Sequence, residues 1–585
     1  NRLVLANTAA AVIASTPVQT ADSFTLSTGE FQNGTNTLTV AGAFSQTGGT
    51  FTQGSGTITL NGATNTVAGT FTKSASGAVT FSRGGVQSLA ATGRDLGNVT
   101  VTGASTVLTL GTQSVTFDDL SISTNGRLSL DGSSGPVTVN INDTKSVTLS
   151  TGGSFHLASS ANLLTLQAAS GTATYTGANI TFNGQDLTLS SIIYVPALTL
   201  ATNEQLTLGN GNCTFTDITV GAGSFNANGQ AWSMSGSWDN NSTGSLSGAT
   251  ATATFTGAAK TINAGGTGAG KPFGPVAISG TYELSISDFQ TASLSGTGSL
   301  ATGDRNLTVA GGDVTITTLS ADAGVTAETI TVSGDFTPGT FTAANSTVIM
   351  NSADTPVSAG SFTYANLTLE KGAAGNVVNL GSGASIGGKL TVTTGTLNDG
   401  GNLTVTGDIE ITADGRLVTG DYNLSAANIT ELGEGAVLDA SGQTTAGRTV
   451  TFSGSLTLVA SGFTPGTATT LTSSGTGNLT SAGNNVGNFE KTIEGTLTLQ
   501  DVLDVNGNLA ITAGTLDANQ KNITLAGNWT NGGTFTSGGG TQTVTFDGAS
   551  DQTIASGGAS FHRLASASTA AAVIAGTPVK TADSF

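Results

Sequence analysis

Charged side chains are scarce in this sequence, and the few that occur are mostly acidic. Among 585 residues there are 17 Lys and Arg against 36 Asp and Glu, which gives a formal net charge of −19. Proteins bind nucleic acids and anionic membrane surfaces through clusters of Lys and Arg. The composition therefore argues against both kinds of partner.

Cysteine and long apolar runs are also missing. A single Cys excludes a disulfide framework within the chain. No apolar run reaches the roughly 20 residues that a transmembrane helix needs. Hydrophobic residues nevertheless make up 37% of the sequence, too many for a disordered low-complexity chain. We therefore expect a chain that folds around an apolar core and has no membrane span in this window.

Repetition is what the sequence has in abundance. Residues 1–24, NRLVLANTAAAVIASTPVQTADSF, and residues 562–585, HRLASASTAAAVIAGTPVKTADSF, are identical at 18 of 24 positions. We interpret 1–561 as one super-repeat and 562–585 as the start of the next, so that the chain is a window on a longer array. The apolar run at 9–14 then belongs to the repeat, and we expect any secretion signal to lie outside the window.

The two copies of this segment predict a repeat junction, in which equivalent residues occupy the same structural position. The shared apolar residues expected to point inward are Leu3, Val12, Ile13 and Phe24, with their counterparts Leu564, Val573, Ile574 and Phe585. The shared Pro17 and Pro578 are expected at a corner, because proline cannot donate to a central strand ladder.

Six units of 75 to 119 residues fill the predicted super-repeat. A Gly-x-Leu/Phe marker recurs in all six, at Phe31, Leu128, Phe225, Leu300, Leu397 and Leu516. Four related segments place an aromatic residue after Gly, at Phe44, Trp238, Phe336 and Trp529. The exchange of Trp for Phe at these cassette aromatics indicates packing in the core or at a strand end.

The shortest repeat is close to 20 residues, and it decides the predicted fold. Gly-x-Phe recurs at Phe31, Phe51 and Phe71, and each period holds about three short segments that alternate apolar and polar residues. Three short strands per period predict an all-β fold, a right-handed parallel β-helix (β-solenoid) with coils of about 20 residues. The alternative is a row of tandem immunoglobulin-like β-sandwiches of about 95 residues. The variable unit length favours the solenoid, which can gain or lose a coil.

The candidate catalytic residues are isolated from one another. Asp118 and Asp119 are adjacent acids, but neighbouring side chains point to opposite faces of a strand, and we expect a solvated strand end. His156 and His562 each stand alone, and Asn1 replaces His562 in the homologous segment. We therefore predict a protein that is not an enzyme and has no cofactor.

The remaining candidates for binding are weak. Residues 501–508 imitate the start of a Ca²⁺ loop but lack its Gly and its closing Glu, so we predict no metal site. Cys213 is expected to be a small buried thiol. Trp232 has no counterpart in the other units, which makes it a candidate platform for stacking on a sugar ring.

Two stretches carry a family resemblance, GNWTNGGTFTSGGGTQTVTFDG at 527–548 and LTVTTGTLNDGGNLTVTGDI at 390–409. They resemble the Thr/Gly/Asn-rich repeats of giant secreted bacterial surface proteins, and are similar to β-solenoid adhesins of the filamentous-haemagglutinin and autotransporter type. The resemblance lies in texture and repeat pattern and brings no catalytic motif. It implies a secreted or surface-bound β-solenoid.

Together these features predict a non-enzymatic extracellular structural fibre, sheath or cell-surface scaffold. Its expected partner is itself, through end-to-end continuation of super-repeats and lateral association. The alternative is an adhesin whose solenoid presents a surface for a glycan or a protein. A fibre predicts recurrence without a unique polar cluster, whereas an adhesin predicts an insertion or tip that breaks the pattern.

Overall fold

A computed structural model describes most of the chain. The described residues are 1–130, 137–142, 147–149, 154–157, 164–166, 179–182, 186–189, 193–200, 205–208, 213–240, 243–322, 324, 327–351, 356–373, 375–568 and 571–584. They contain short β-strands and no helix, and the strands pair in parallel. The predicted parallel β-solenoid with coils of about 20 residues is therefore confirmed. The sandwich alternative is wrong, because immunoglobulin-like sheets are antiparallel.

Two compact units, 1–300 and 301–585, are distinguished by their internal contacts. Each unit is described by itself below. The super-repeat over 1–561 and its continuation at 562–585 stay a prediction.

Unit 1 consists of parallel sheets in which each strand lies beside its equivalent one coil away. One sheet contains Val18–Thr20, Leu38–Val40, Ile58–Leu60, Ala78–Phe81, Asn98–Thr102, Leu120–Ser123 and Val147–Leu149. Another contains Arg2–Ile13, Ser23–Gln32, Ala43–Gln46, Thr50–Thr52, Thr64–Val67, Thr70–Thr72, Val86–Ala90, Val107–Leu110, Arg127–Leu130 and Ser154–Leu157. Two small sheets contain Arg94–Asp95, Ser114–Phe117 and Thr138–Ile141, and Asp186–Leu189, Gln205–Leu208, Ser224–Asn226 and Ser245–Ser247. The remaining strands are Leu164–Leu166, Asn179–Phe182, Ile193–Leu200, Cys213–Val220, Trp232–Met234, Trp238–Asn240, Ala253–Phe255, Lys260–Asn263, Phe273–Ile278, Thr281–Leu284 and Phe289–Ser295, with Ser299–Ala301 at the unit boundary.

Unit 2 repeats this plan. One sheet contains Thr363–Tyr364, Ser385–Ile386, Leu403–Val405, Leu424–Ala426, Thr449–Phe452, Thr470–Ser473, Asn488–Lys491, Leu509–Ile511, Trp529–Asn531, Gln552–Ala555 and Val573–Ala575. A second contains Asn485–Val486, Leu503–Val505, Ile523–Leu525, Thr543–Phe546, Ser560–Ser566 and Lys580–Ser584. The remaining strands are Leu307–Val309, Thr318–Ser320, Thr329–Val332, Thr340–Thr342, Thr347–Met350, Val357–Ser358, Asn366–Glu370, Val377–Asn379, Leu390–Asn398, Ile409–Thr412, Gly415–Val418, Ile429–Leu432, Val437–Ala440, Leu456–Thr457, Phe463–Pro465, Gly477–Thr480, Thr496–Leu499, Thr515–Asp517 and Thr534–Thr536.

Alternation along the strands separates a core from a solvated face. In Leu38–Val40 and Ile58–Leu60 the two outer residues of each strand are buried and the central Thr is half-buried. Successive side chains of a strand point to opposite faces, so in-register stacking aligns Leu with Ile inside and Thr39 with Thr59 outside. The alternation of apolar and polar residues in the sequence therefore corresponds to the alternation of buried and outward-facing side chains in these strands.

The Gly-x-Phe repeats at Phe31, Phe51 and Phe71 form one column of the stack. Phe51 lies in register between Phe31 and Phe71, one coil before and one coil after it. The marker glycine is required by its backbone, since Gly49 has φ of 65° and Gly514 has φ of 72°. A Cβ at Gly514 would also lie 2.3 Å from the carbonyl oxygen of Ile493 in the preceding coil. Glycine thus permits the close approach of successive coils at the start of this strand.

Truncation of a core residue in the stack should cost more than truncation on its outer face. Leu509 is fully buried and lies in register between Phe489 and Trp529. We expect Leu509→Ala to lower the free energy of unfolding by about 2–5 kcal/mol, because it opens a cavity between two coils. The measurement is denaturant unfolding of the full chain.

The matched control is Thr530→Ala, on the exposed face of the neighbouring strand. It should change the free energy of unfolding by no more than about 0.5 kcal/mol. Equal losses in the two variants would contradict the assigned inward and outward faces.

Candidate functional site: the stacking core and the coil corners

The four cassette aromatics are all buried. Phe44 is 2% exposed, and Trp238, Phe336 and Trp529 are fully buried. Trp529 lies in register between Leu509 and Ile554, and its ring meets that of Phe535 edge-on with centroids 4.9 Å apart. These aromatics therefore fill the interior of the stack.

Trp232 belongs to the same interior, so its interpretation as a sugar platform is wrong. The side chain is only 2% exposed. Its ring lies 5.4 Å from that of Trp238 and 5.1 Å from that of Phe225, centroid to centroid. A ring enclosed by other aromatics on neighbouring coils has no face left for a ligand.

Buried polar side chains follow two of the cassette aromatics and hold the next turn of backbone. Gln46 is fully buried, and its amide Nε2 donates to the carbonyl of Thr70 at 2.8 Å. Asn531 is 6% exposed, and its Nδ2 donates to the carbonyl of Ser556 at 3.0 Å. Each acceptor lies more than 20 residues further along the chain, so the bond links one coil to the next. In this aromatic-x-amide motif the ring packs in the core, and the amide donates a hydrogen bond to a backbone carbonyl of the next coil.

A second recurring arrangement, which we call the corner clamp, is formed around Gln552. Its Nε2 donates to the carbonyls of Leu525 and Gly527, at 2.8 and 2.7 Å. Its Oε1 accepts the backbone N–H of Gly548 at 2.9 Å. The side chain is 1% exposed, so it supplies buried hydrogen bonds to three backbone groups at the corner, of which the carbonyl of Leu525 also accepts the N–H of Asp547.

The same clamp occurs in unit 1 at Gln87. Its Nε2 donates to the carbonyls of Leu60 and Gly62, at 2.7 and 3.0 Å, and its Oε1 accepts the N–H of Arg83 at 3.3 Å. Both clamps span the same positions, two carbonyls spaced i and i+2 on the preceding coil and an N–H just before the glutamine. The corner is therefore a repeated structural element.

A third clamp uses tyrosine in place of glutamine. The hydroxyl of Tyr282 lies 2.9 Å from the carbonyl oxygen of Gly236 and 3.3 Å from that of Met234, and it accepts the N–H of Gly257 at 3.0 Å. Burial raises the pKa of this hydroxyl, which therefore stays protonated and able to donate. Different residue types therefore bond to equivalent backbone groups at these corners. No sequence motif is common to Gln87, Tyr282 and Gln552, so the sequence alone could not reveal the clamp.

Asparagine side chains form ladders along the outer rim of unit 2. Oδ1 of Asn488 accepts the N–H of Asn508 at 2.9 Å, Oδ1 of Asn508 accepts that of Asn528 at 2.8 Å, and Oδ1 of Asn528 accepts that of Thr553 at 2.8 Å. Each bond joins equivalent positions of successive coils. Asn508, at the end of the Ca²⁺-like segment, therefore links successive coils.

The remainder of the Ca²⁺-like segment also has structural partners. Asp501 accepts the N–H groups of Ser481 and Ala482, at 2.8 and 2.6 Å, and Asp504 accepts the hydroxyl of Thr524 at 2.8 Å. Within the part of the chain that the structure describes, no group of three or more His, Cys, Asp or Glu side chains is arranged to hold a metal ion.

Asp118 differs from its sequence-based interpretation as a solvated strand end, because it is only 5% exposed. Lys73 Nζ lies 2.6 Å from a carboxylate oxygen of Asp118 and 2.6 Å from one of Asp95. Nδ2 of Asn142 donates to both acids, at 2.7 and 2.9 Å. Burial alone lowers the pKa of Lys73, but hydrogen bonds and charge from Asp118 and Asp95 outweigh it and raise that pKa overall. The cluster joins the ends of stacked strands, and the sharing of one ammonium by two carboxylates indicates a structural ion-pair cluster.

The other single candidates do not come together. His562 is half-buried in the strand Ser560–Ser566. The side chains of His156 and Cys213 lie outside the described residues.

The predicted junction residues differ in how far they are buried. Phe24 is fully buried and Leu564 is 5% exposed, whereas Leu3 and Val573 are half-buried. Val12 lies in register with the buried Phe31, but it is 36% exposed because its strand has a neighbour on one side only among the described residues. Phe585 lies outside the described residues.

The prediction that Ile13 and Ile574 point inward is wrong. They are 63% and 49% exposed. Each directly follows a Val that lies beside a buried residue, and successive side chains of a strand cannot face the same side. Pro17 and Pro578 lie in exposed bends between strands, where no ladder hydrogen bond is lost.

Two carboxylates in unit 2 have pKa values that burial raises. Glu431 is 1% exposed, and its two oxygens accept the N–H groups of Leu438 and Val459, at 2.9 and 2.8 Å. Burial raises the pKa of Glu431 to about 7, against the opposing effect of these hydrogen bonds. Burial likewise raises the pKa of Asp399 to about 6, with one hydrogen bond from the N–H of Gly420 opposing it.

An open groove of about 570 Å³ lies along a corner of unit 2. Its walls include half-buried Phe341, exposed Asn345 and half-buried Asn366, with Gly387 and Gly388 at one end. Its rim is uncharged. It is a surface feature wide enough for a small polar molecule.

No protein-family model, curated protein or solved structure matches this chain. The geometry therefore defines a parallel β-solenoid repeat protein. In addition, no helix among the described residues is long and apolar enough to cross a membrane.

The corner clamp should matter for stability even though it carries no charge. Gln552→Leu has a similar volume but would remove the partner that Gln552 supplies to the N–H of Gly548 and to the carbonyl of Gly527, while the carbonyl of Leu525 would keep the N–H of Asp547. We expect the free energy of unfolding to fall by about 2 kcal/mol or more, since each unsatisfied buried group costs roughly 1–3 kcal/mol. Gln500→Leu, at an exposed glutamine, should change it by less than about 0.5 kcal/mol. Similar losses in the two variants would show that the clamp adds nothing.

The stability of unit 2 should fall as the pH rises from 5 to 8. The pKa of Glu431 is higher in the folded chain than in the unfolded chain, so its contribution is complete below about pH 4.5 and is lost as pH rises towards 7. Asp399 acts in the same direction between about pH 4 and pH 6. The contribution of Glu431 is on the order of 3 kcal/mol. Denaturant unfolding at several pH values measures it.

Glu431→Gln should flatten this pH dependence, because the amide cannot ionise. Glu434→Gln, at an exposed glutamate three residues away, should keep the pH dependence of the parent chain. A parent chain that becomes more stable from pH 5 to pH 8 would contradict the assignment.

Proposed function

We propose that this protein is a non-enzymatic structural protein of the bacterial exterior, a fibre, sheath or surface scaffold built from β-solenoid coils. The observation that carries the proposal is the recurrence of the corner clamp at Gln87, Tyr282 and Gln552. Equivalent backbone groups are satisfied in the same way by different residues. Because either Gln or Tyr can fill the clamp, the sequence can vary while the coils stay stacked, which is what a structural protein requires.

The small role of charge supports the same proposal. Charged residues are 9% of the sequence, and the clamps at the corners are made by neutral side chains. Interactions between neutral groups are little affected by ionic strength, in contrast to exposed ion pairs. Such a stack suits exposure to changing salt and to proteases outside a cell.

The distribution of polar groups also favours a scaffold over an enzyme. The titratable groups that we describe hold backbone, as Glu431 does, or are engaged in ion pairs, as Lys73 is with Asp95 and Asp118. General acid and base catalysis needs such groups to converge on a space for substrate. The groove near Phe341 is lined by neutral residues.

That groove favours the alternative function, an adhesin that binds a glycan on its lateral face. The exposed amide of Asn345 beside the half-buried ring of Phe341 offers hydrogen bonds next to an apolar surface, the combination that sugars use. The groove occupies a small part of unit 2, so it adds to a scaffold rather than replacing it.

The test is the location and form of the protein in the cells that make it. Antibodies raised against the purified chain should label filaments or a layer at the cell surface in immunogold electron microscopy. Labelling confined to the cytoplasm, or to dispersed compact particles, would overturn the proposal.

A glycan screen on the full chain tests the alternative. Binding that is lost at least tenfold in Asn345→Ala and kept in Asn478→Ala, at an exposed asparagine elsewhere in unit 2, would support a lateral adhesin. The absence of saturable binding would contradict the adhesin alternative and leave the scaffold as the proposed function.

A further inference from the structure

An asparagine followed by glycine can react with its own backbone, and this sequence contains eight such pairs. The backbone nitrogen of the second residue attacks the side-chain carbonyl carbon of the asparagine, and glycine hinders this least because it has no Cβ. In six pairs the structure describes both residues, and their asparagines are Asn33, Asn61, Asn125, Asn228, Asn506 and Asn531. The same dipeptide thus lies in six different surroundings.

Two of these asparagines are buried and held by hydrogen bonds. Asn33 is fully buried, its Nδ2 donates to the carbonyl of Gly56 at 3.1 Å, and its Oδ1 accepts the N–H of Gly54 at 2.8 Å. Asn531 is held in the same way, as described above, and the N–H of Gly532 donates to a carbonyl of the coil before at 2.6 Å. Neither side chain can rotate towards the nitrogen that follows it.

Three further pairs are held through one of the two reacting groups. The N–H groups of Gly126 and Gly229 donate to backbone carbonyls, at 2.9 and 2.7 Å. The Oδ1 of Asn61 accepts the hydroxyl of Ser82 at 2.9 Å, and the following Gly62 is buried. In each of these pairs a hydrogen bond must break before the reaction can begin.

Asn506 and Gly507 differ from the other five pairs. Asn506 is exposed in the turn between the strands Leu503–Val505 and Leu509–Ile511. Among the described residues, its side chain has no hydrogen-bond partner, and neither has the N–H of Gly507. Both residues line an open cleft of about 270 Å³, so solvent reaches the turn. The side chain can therefore rotate towards the nitrogen of Gly507 without breaking a hydrogen bond.

We propose that Asn506 is a self-modification site, at which the folded chain converts asparagine to aspartate and isoaspartate. The nitrogen of Gly507 loses its proton to solvent base and forms a bond to Cγ of Asn506. The bond between Cγ and Nδ2 breaks, and Nδ2 takes up a proton from solvent and leaves as ammonia. Water then opens the resulting succinimide ring at either carbonyl, which gives aspartate or isoaspartate. In sum, one water is consumed and one ammonia is released.

Isoaspartate at this position would lengthen the main chain in a corner that has little room for it. A Cβ at Gly507 would lie 2.4 Å from Oδ1 of Asn488 and 2.9 Å from the carbonyl oxygen of Gly487, both in the preceding coil. The same Oδ1 of Asn488 accepts the N–H of Asn508. The added methylene and negative charge must therefore push this part of the asparagine ladder outward. We expect the corner to loosen as the protein ages.

Ageing of the purified full chain at mildly alkaline pH tests the proposal. Peptide mass spectrometry follows the gain of one mass unit at each Asn-Gly pair, and fragmentation separates isoaspartate from aspartate. Asn506 should be modified at least about tenfold faster than Asn125 or Asn531, which corresponds to a barrier lower by about 1.4 kcal/mol. The rate at Asn506 should rise with pH, because the attacking nitrogen must first lose its proton.

The same chain in denaturant is the matched control. All six pairs then lose their surroundings, and we expect them to react at similar rates because each asparagine is followed by glycine. Asn506→Gln should abolish the modification at this position, since the longer side chain closes a ring far more slowly, and should leave the other pairs unchanged. An Asn506 that stays unmodified in the folded chain, or an Asn531 that reacts as fast, would overturn the proposal.

Hydrogen exchange tests the loosening of the corner. The added negative charge allows ion-exchange chromatography to separate aged chains from fresh ones. The amides of residues 507–509 should exchange faster in the aged chains, whereas those of 403–405, in another strand of unit 2, should be unchanged. Equal exchange at 507–509 in aged and fresh chains would contradict the expected displacement of the asparagine ladder.

Discussion

The structure depends on satisfying the backbone where the chain turns from one strand to the next. Along the strands of the described sheets, neighbouring coils supply hydrogen-bond partners, but at the corners the ladder stops while the backbone remains buried. Gln87 and Gln552 bridge such corners to the coil before, and Tyr282 reaches carbonyls 46 and 48 residues back, two coils away. A solenoid that lacked such residues would pay for unpaired buried groups at each turn of the stack.

This constraint explains how the repeats can differ so much in sequence. A clamp needs a donor for one or two carbonyls and an acceptor for one N–H, and an amide or a phenol hydroxyl provides both. The polar positions after the cassette aromatics are equally permissive, since Gln46 and Asn531 both link to the following coil.

The sequence by itself determined the parallel solenoid, the coil of about 20 residues and the column at Phe31, Phe51 and Phe71, because these follow from local alternation and from glycines that the backbone requires. Tertiary structure decided the rest. Asp118 is buried by Lys73, which is 45 residues away, and Trp232 is enclosed by rings of other coils. Ile13 and Ile574 face outward because of strand parity, which a hydrophobic run conceals. Gln87 and Gln552 lie in similar segments, VTFSRGGVQSLA and VTFDGASDQTIA, but their carbonyl partners are 25 and 27 positions away and those of Tyr282 are 46 and 48 positions away, so only the closure of the coils brings them together.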